Sequence, residues 1–381
     1  MRFRFDSPRL PGAARLLRQE VRAFLAGERD SGRFEPRANS WTTYDAQFTR
    51  RCGERGYIGM TFPKSYGGHG RSALERYVVC EEMLAAGAPV AMHWIADRQS
   101  GPQILRHGSE TARRRIIPEI VAGRCCMGIG MSEPNAGSDL ADVRTRGVKV
   151  DGGWRITGAK LWTSNAHRAQ FIIALCRTGP VGDSRHAGLT QFLVEMASPG
   201  VRANPITDLT GGRDFNEVAL DEVFVPDQYV LGQPGEGWKL VTGELALERS
   251  GPERFLSTLP VLTELADRLG KDAPAHAKAA LGRLVAHLST LRRMSLAIAG
   301  TLDRGESPQV EAALTKDLGN TFEREIPEIA RLLAQCAPEK GSADRFSALL
   351  GEAILAAPSF TLRGGTREIL RGIIARELGL R

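Results

Sequence analysis

The pattern of apolar residues changes twice along this chain of 381 residues, and these changes constrain its fold more than any other feature. Residues 10–125 carry apolar side chains at helical spacing. Residues 127–226 instead show short apolar runs separated by glycine-containing turns, which is typical of a β-barrel or sandwich. Long helical patterns return from Trp238 onward. The sequence therefore predicts an α+β multidomain protein with a β region between two helical regions.

Two segments of the middle region combine residue types that suit a flat, anionic ligand. The segment 131–139 reads MSEPNAGSD, in which Gly137 lets the backbone approach a ligand and Ser138 can donate to an anionic oxygen. The segment 160–165 reads KLWTSN, in which an indole can pack on an aromatic cofactor while a hydroxyl bonds a ring nitrogen. Each segment alone is as well explained by a polar turn or a core tryptophan. The occurrence of both segments in this order is a much more specific signal than either segment alone.

Together these segments resemble the flavin-binding part of the acyl-CoA dehydrogenase family. Similar matches lie along nearly the whole chain: Tyr66-Gly67-Gly68, Phe215–Val218 with Val225-Pro226, Gly235–Trp238 and Gly364–Arg371. The resemblance implies an α-helical N-terminal domain at residues 1–126, a middle β-barrel at 127–235 and a C-terminal four-helix bundle at 236–381. It also implies FAD-dependent α,β-dehydrogenation of an acyl-CoA thioester, with electron-transfer flavoprotein as the acceptor.

The residue that would remove the α-proton stands at an unusual position. Most of the family places a glutamate directly before Gly-Thr in the C-terminal loop, whereas this chain has Gly364 there. A subset of the family has a small residue in that loop and a glutamate before an arginine on a helix of the bundle. Glu248-Arg249 matches that pair, although a Glu-Arg dipeptide is by itself usually a solvated surface pair. The resemblance therefore identifies Glu248 as the catalytic base.

The same resemblance assigns the cofactor and substrate contacts. Residues implied to bind FAD are Met131, Ser132, Ser138, Trp162, Ser164, Thr366 and Glu368. Those implied to contact the substrate are Ser138, Arg249 and Gly365. Glu133 and Asp139 are more simply explained as residues that cap the turn.

The composition excludes several other classes of protein. A formal net charge of +7 raises nucleic acid as a partner, but Arg113-Arg114-Arg115 is the only tight cluster and fits a solvated helix face. We therefore expect no nucleic acid partner. No apolar run is long enough to span a bilayer, and Met1–Asp6 lacks the apolar core of a signal peptide. Six cysteines without metal-ligand spacing predict reduced thiols, no metal site and a cytoplasmic location.

The segment 93–99, HWIADRQ, lies where the family's helices line the acyl pocket. Two interpretations stay open. Polar residues on helices are usually at a surface or between domains. Alternatively, they predict a wide or partly polar acyl group, for example a branched, ring-bearing or steroid-derived CoA ester.

Two family elements are missing from the C-terminal half. The chain has no Arg-x-x-Phe-Gly segment after the first bundle helix and no Gln-x-x-Gly-Gly segment near residues 334–337. In family homotetramers these residues reach the neighbouring subunit's FAD. The sequence therefore predicts either a homo-oligomer in which other arginines, such as Arg292 or Arg293, replace them, or a heterotetramer with a second acyl-CoA dehydrogenase-like subunit.

Three alternatives to a complete acyl-CoA dehydrogenase follow from the same residues. Gly364 is also compatible with a non-catalytic or half-site partner subunit of a heteromeric enzyme. A flavin monooxygenase or an acyl-carrier-protein dehydrogenase would share the fold and differ in chemistry. Glu248, Trp162 and Ser164 favour the dehydrogenase.

Overall fold

The computed structural model describes residues 3–6, 8–182, 184–249 and 251–380, except for the side chains of residues 245–248. Its α-helices are α1 (Gly12–Asp30), α2 (Ala46–Glu54), α3 (Ala73–Ala85), α4 (Ala91–Ile95), α5 (Gly101–His107), α6 (Glu110–Val121), α7 (Gly237–Glu248), α8 (Leu259–Leu269), α9 (Ala275–Asp303), α10 (Gln309–Ala334), α11 (Arg345–Phe360) and α12 (Arg367–Glu377). A π-helical turn, Ala96–Ser100, joins α4 to α5.

The strands all fall in the middle third of the chain. They are β1 (Met127–Gly130), β2 (Arg146–Val150), β3 (Gly153–Lys160), β4 (Phe171–Arg177), β5 (Leu189–Glu195), β6 (Val201–Ile206), β7 (Phe215–Pro226) and β8 (Val230–Leu231). They form one eight-stranded sheet in the order β6-β7-β3-β2-β4-β5-β8, with β1 added parallel to β4. The pairs β2–β3, β3–β7, β4–β5 and β6–β7 are antiparallel.

The chain divides into two compact units that are each discontinuous in sequence. The first unit comprises Met1–Tyr44, Arg71–Val90 and Glu248–Arg381, and the second comprises Asp45–Gly70 and Ala91–Leu247. The first unit is therefore helical, while the second contains the whole sheet together with α2, α4–α6 and α7 up to Leu247. The boundaries of the three predicted domains stay a prediction.

The first unit is built by helices packed against α3 and α10. A capping box begins α3: the Ser72 hydroxyl accepts from Glu75 N at 3.1 Å, and Glu75 Oε2 accepts from Ser72 N at 2.9 Å. Leu74 and Tyr77 of α3 pack with Leu296 and Ala299 of α9. Helix α10 contacts α8, α9, α11 and α12, so residues on its faces reach most of this unit.

The second unit buries one face of the sheet under the start of α7. Met131, Leu175 and Leu189 pack against Val241, with Trp238 at the edge of this cluster. Strand β4 is buried along nearly its whole length, which explains its unbroken apolar sequence. This core fixes the ends of the strands from which the predicted flavin-binding residues extend.

The predicted fold class is confirmed: helices precede and follow a middle sheet region. Within the described parts of the chain, no helix is both long and apolar enough to cross a membrane. The same residues contain no group of three or more His, Cys, Asp or Glu side chains placed to hold a metal ion.

Candidate functional site

The two sequence segments singled out for flavin binding meet in the second unit. Leu161 N donates to Ser132 O at 2.8 Å, so the residues after β1 and the residues after β3 are hydrogen-bonded to each other. Met131 is buried and Ser132 is half-buried. Four predicted flavin contacts, Met131, Ser132, Trp162 and Ser164, therefore belong to one local arrangement.

Trp162 combines an exposed side chain with an unfavourable backbone conformation. Its indole is 54% exposed although it packs edge-on against Phe215, with ring centroids 6.0 Å apart. Its backbone has φ 61°, a left-handed conformation that costs a non-glycine residue free energy. The next residue, Thr163, is held from both sides by Asn216: its N donates to Asn216 O and its O accepts from Asn216 Nδ2, each at 3.0 Å. The surroundings therefore maintain an exposed and strained tryptophan.

The Gly-Ser-Asp turn lies at the surface of the second unit. A Cβ at Gly137 would find no heavy atom within 4 Å, so the backbone there can be approached closely. Ser138 is exposed, and the Asp139 carboxylate pairs with Arg185, whose hydrogen bond lowers the pKa of Asp139. The Asp139 side chain makes no capping hydrogen bond to the turn that it begins, so its contact with Arg185 replaces the predicted capping role.

Glu133 and Lys160 form a buried ion pair whose importance sequence reasoning missed. Lys160 Nζ donates to Glu133 Oε1 at 2.7 Å, and neither side chain is more than 8% exposed. Burial alone would raise the pKa of Glu133, but the Lys160 ammonium and hydrogen bonds from Thr145 and Arg144 outweigh it, so this pKa is lowered. The sequence did contain a sign that Lys160 is buried. Lys160 lies on the inward face of β3, on the same side of the strand as the buried Trp154 and Ile156.

In the first unit, two cationic side chains hold the carbonyl groups of the glycine loop. Arg249 Nε donates to Gly364 O at 3.1 Å, and Lys316 Nζ donates to Gly365 O at 3.0 Å. Both glycines have positive φ, at 65° and 98°. The structure thus brings together two residues predicted as substrate contacts, Arg249 and Gly365, and adds Lys316, which is fully buried.

Arg363, the residue before this loop, is held by several buried contacts. Its Nη2 donates to Glu323 Oε2 at 2.7 Å and to Ser257 Oγ at 3.0 Å, and its guanidinium lies 4.4 Å from the ring centroid of Trp41. Burial lowers the pKa of Arg363 to about 10, against the opposing effect of Glu323. That value is far above neutral pH, so the guanidinium stays charged. The start of the loop is therefore fixed by a buried ion pair.

The two remaining predicted cofactor residues begin α12. Thr366 is half-buried and caps this helix through its hydroxyl, which accepts from Ile369 N at 3.5 Å. Glu368 is exposed in the first turn, and hydrogen bonds from its own backbone N–H and from Thr366 lower its pKa. Helix α12 is in turn tied to α10, because Arg367 Nε donates to Asp317 Oδ1 at 2.9 Å.

The predicted base, Glu248, is the last residue of α7, but its side chain lies outside the described residues. The helix ends there, and Pro252 begins a separate 3₁₀ turn, in agreement with the break expected from Gly251-Pro252.

The polar segment 93–99 is not on the surface. His93, Asp97, Arg98 and Gln99 are all buried in the second unit. His93 Nδ1 lies 3.0 Å from Thr49 Oγ1, and Asp97 Oδ1 accepts from Gly59 N at 2.7 Å, so two of these side chains are explained by internal hydrogen bonds. Gln99 Nε2 instead donates to Glu244 Oε1 of α7 at 3.3 Å. A position at the surface is therefore excluded for these four side chains, while a position between domains stays a prediction.

Arg292, suggested as a replacement for the family's missing arginine, is engaged within its own unit. Its Nε and Nη2 donate to the two oxygens of Glu81 at 2.6 and 3.0 Å. A bidentate pair of this kind leaves little of the guanidinium for a pyrophosphate.

The residues present fit a flavin dinucleotide. Beside the exposed indole of Trp162, the hydroxyl of Thr163 is buried and has no hydrogen-bond partner among the described residues. Buried polar groups are rarely left unsatisfied unless something else completes them. An aromatic face, adjacent hydroxyl groups and an accessible glycine turn together match the ring and phosphate portions of such a ligand.

Comparison with known proteins identifies the family of this chain. Family models for the acyl-CoA dehydrogenase N-terminal, middle and C-terminal domains match residues 12–124, 128–223 and 271–379. The chain therefore belongs to the acyl-CoA dehydrogenase family. Members are FAD-dependent oxidoreductases that act on acyl-CoA, so the predicted enzyme class and cofactor are confirmed at the level of the family.

Its relatives include several mycobacterial enzymes. Acyl-CoA dehydrogenase IpdE1 of Mycolicibacterium smegmatis is 35% identical over 84% of this chain and 84% of its own length. Acyl-CoA dehydrogenase FadE34 of Mycobacterium tuberculosis is 32% identical over 85% of this chain, which spans only 45% of that longer protein.

Among solved structures, the chain resembles the Tcur3481-Tcur3483 steroid ACAD with a TM-score of 0.84 and 27% identity, over 98% of both chains. It also resembles the ChsE4-ChsE5 complex from Mycobacterium tuberculosis with a TM-score of 0.83 and 27% identity, over 97% of this chain and 98% of the other.

Proposed function

We propose that this chain is an acyl-CoA dehydrogenase that converts an acyl-CoA thioester to the 2-enoyl-CoA, with Glu248 as the base. The observation that best supports this assignment is the Arg249–Gly364 hydrogen bond. It ties the residue that follows Glu248 to the loop position where most of the family carries its base. The loop position that lacks the usual glutamate, Gly364, is therefore in contact with the segment that carries Glu248.

In this proposal each residue acts on a defined part of the reaction. Glu248 accepts the α-proton, and the bound FAD supplies the acceptor for the hydride that leaves Cβ. Arg249 holds the Gly364 carbonyl and favours the ionised form of a neighbouring carboxylate. Lys316 fixes the next peptide through Gly365 O, so the loop presents a constant backbone geometry to the thioester.

The cofactor contacts remain those that the resemblance implies. Met131 and Ser132 would hold the pyrimidine edge of the isoalloxazine, while Trp162 and Ser164 would hold its face and the N5 region. Ser138 would contact a phosphate or the substrate. Thr366 and Glu368 would contact the dinucleotide beside the glycine loop. The exposed, strained Trp162 and the unsatisfied Thr163 hydroxyl support the first group.

For the acyl group we propose a bulky, branched or steroid-derived chain. Two observations support this class. The chain resembles a structure described as a steroid ACAD over nearly its full length. In addition, Glu244 of α7 accepts from Gln99 and from Gln191 Nε2, both at 3.3 Å, which places a buried polar network beside α7 where a straight fatty chain needs only apolar neighbours.

For the assembly we propose a heterotetramer with a second acyl-CoA dehydrogenase-like subunit and electron-transfer flavoprotein as the acceptor. The missing Arg-x-x-Phe-Gly and Gln-x-x-Gly-Gly segments, together with the engagement of Arg292 by Glu81, support an unlike partner. Two of the similar structures are described as pairs of unlike chains. The buried free thiols of the chain fit a reducing compartment such as the cytoplasm.

The test is to purify the chain alone and together with the product of an adjacent dehydrogenase-like gene. A yellow assembly should release FAD on denaturation, and its flavin should bleach under anaerobic conditions on addition of an acyl-CoA. A CoA ester of a steroid carboxylic acid should bleach the flavin faster than octanoyl-CoA does. If the assembly carries FAD but no acyl-CoA bleaches it, the dehydrogenase assignment fails.

The alternative with a specific observation in its favour is a half-site partner subunit. Gly364 and the absent cross-subunit segments support it. A Glu248→Gln variant separates the two functions: a half-site partner without chemistry of its own would leave the assembled enzyme fully active.

A further inference from the structure

The two flavin-binding segments are carried by strands that do not pair with each other. Strand β1 pairs with β4, whereas β3 pairs with β2 and β7. Beyond the strands, the backbone bond from Leu161 N to Ser132 O links the segments. The residues that follow the two strands lie outside the paired part of the sheet, so side-chain contacts between them also help to set their separation.

The side chain of Lys160 provides such contacts. Its ammonium donates to Met131 O at 3.3 Å and to Glu133 Oε1 at 2.7 Å, and it also contacts Leu175 O. Gly130 leaves room for this path, since a Cβ there would lie 3.2 Å from Lys160 Cγ, a tight contact. The lysine therefore crosses from the end of β3 to the residues that follow β1.

Glu133 fixes the ammonium in place. Its Oε1 also accepts from Thr145 N at 3.0 Å, and its Oε2 accepts from Arg144 N at 2.7 Å. The carboxylate is thus held by two backbone N–H groups in addition to Lys160. A buried ion pair brings little net stability compared with apolar residues of the same volume, so stability alone does not account for one at this position.

The Glu133–Lys160 pair lies close in sequence to the residues proposed to contact the cofactor. Lys160 stands two residues before the strained Trp162, while Met131 and Glu133 flank Ser132. On the other side of Trp162, Asn216 holds Thr163. Trp162 is thus anchored on both sides, and one of these anchors is the ion pair.

We propose that the Glu133–Lys160 pair is a positioning device that holds Ser132 and Trp162 at the separation that the isoalloxazine requires. Neither residue touches the cofactor in this proposal. It rests on the proposed function, because it presumes that FAD lies on these two segments.

The test uses the assembly that carries FAD, with Lys160→Met, Glu133→Gln and the double variant introduced into this chain. Each single variant leaves one buried charge without its partner, so both stability and FAD affinity should fall. The double variant removes both charges, so the melting temperature should recover. Its FAD dissociation constant should stay raised by roughly 10- to 100-fold, the loss typical when a group that orients the binding residues is removed. Lys149→Met is the matched control, since Lys149 is half-exposed, pairs with Asp227 and lies on β2 of the same sheet.

The outcomes separate the two proposals. A double variant that regains both stability and wild-type FAD affinity shows that the pair is only structural, which overturns the positioning role and leaves the dehydrogenase standing. A double variant that is stable but binds FAD weakly supports positioning. A double variant that does not fold also overturns the positioning role, because the pair is then required for the fold itself. A wild-type assembly that holds no FAD overturns both proposals.

Discussion

Arg249 donates from Nε to the carbonyl oxygen of Gly364 at 3.1 Å, which joins the end of α7 to the loop before α12 within the first unit. The contact is close: a Cβ at the next residue, Gly365, would lie 3.2 Å from Arg249 Nη2. A bulky residue at 365 would displace the guanidinium. The glycines of this loop and the arginine beside the proposed base therefore depend on one another.

We predict that Glu248→Gln keeps FAD but slows flavin reduction by an acyl-CoA by roughly 10²- to 10⁴-fold, the usual contribution of a general base. Anaerobic stopped-flow measurement of flavin bleaching checks this. Glu306→Gln is the control, because Glu306 is exposed and pairs only with the neighbouring Arg304 among its described ion pairs. Near-normal reduction in the Glu248 variant would exclude this residue as the base.

Gly364→Ala should destabilise the protein by about 1–2 kcal/mol, because φ is 65° at this position and an L-residue there is strained. Gly364→Asn should cost less, since asparagine tolerates the left-handed region best. Urea unfolding of both variants gives the comparison. A glutamate placed at position 364 to replace Glu248 would adopt the same strained conformation. A double variant with Glu248→Gln and Gly364→Glu should therefore recover only part of the activity that Glu248→Gln loses. Equal stability of the alanine variant and the wild type would contradict this account.

Glu323→Gln should lower the free energy of unfolding by about 3–5 kcal/mol, because it leaves the Arg363 guanidinium buried without its counter-charge. Glu323 is fully buried and also accepts from Ser257 N at 3.0 Å. The matched control is Glu328→Gln on the same helix, which breaks an exposed pair with Arg331 and should change stability by less than about 1 kcal/mol. Similar losses in the two variants would show that the buried pair is not the anchor.

The sequence predicted the fold, and it singled out two segments that the structure joins by a hydrogen bond, because both depend on local patterns. The alternation of β3 and the KLWTSN segment locate Trp162 without any coordinates. The partners of buried charges were not predictable in the same way. Lys316 is 49 residues from Gly365 in sequence and Arg363 is 40 from Glu323, and nothing in the spacing of such residues indicates that they meet. Helical lysines are usually solvated, so nothing in the sequence singles out Lys316 as buried.

Thiol labelling of the native protein should be dominated by a single cysteine. Cys336 is half-buried, whereas the other five cysteines are buried. Burial raises the pKa of Cys125, Cys126 and Cys176 to about 12, so almost no thiolate is present at neutral pH. A Cys336→Ser variant should lose the fast phase of reaction with a thiol reagent. Fast modification of several thiols in that variant would mean that the core of the second unit opens readily.

The last prediction concerns flavin occupancy. Burying a doubly charged pyrophosphate needs several donors or an arginine. Arg292 is already held by Glu81, and Arg18 donates to the same carboxylate at 2.6 Å, so releasing Arg292 would break a partly buried ionic cluster. We therefore expect the chain alone to hold FAD weakly.

An unlike subunit that supplies the missing donors should raise FAD occupancy to one per site, and bound FAD should in turn stabilise the assembly, since ligand binding and association are linked. Native mass and flavin content, measured for the chain alone and after co-expression, give both quantities. The control is an Arg293→Gln variant of the co-expressed protein, because Arg293 is exposed and was the other candidate replacement. Stoichiometric, tightly held FAD in the chain alone would contradict the prediction. If the same chain then lost its FAD on Arg293→Gln, this residue would be the replacement arginine of a homo-oligomer.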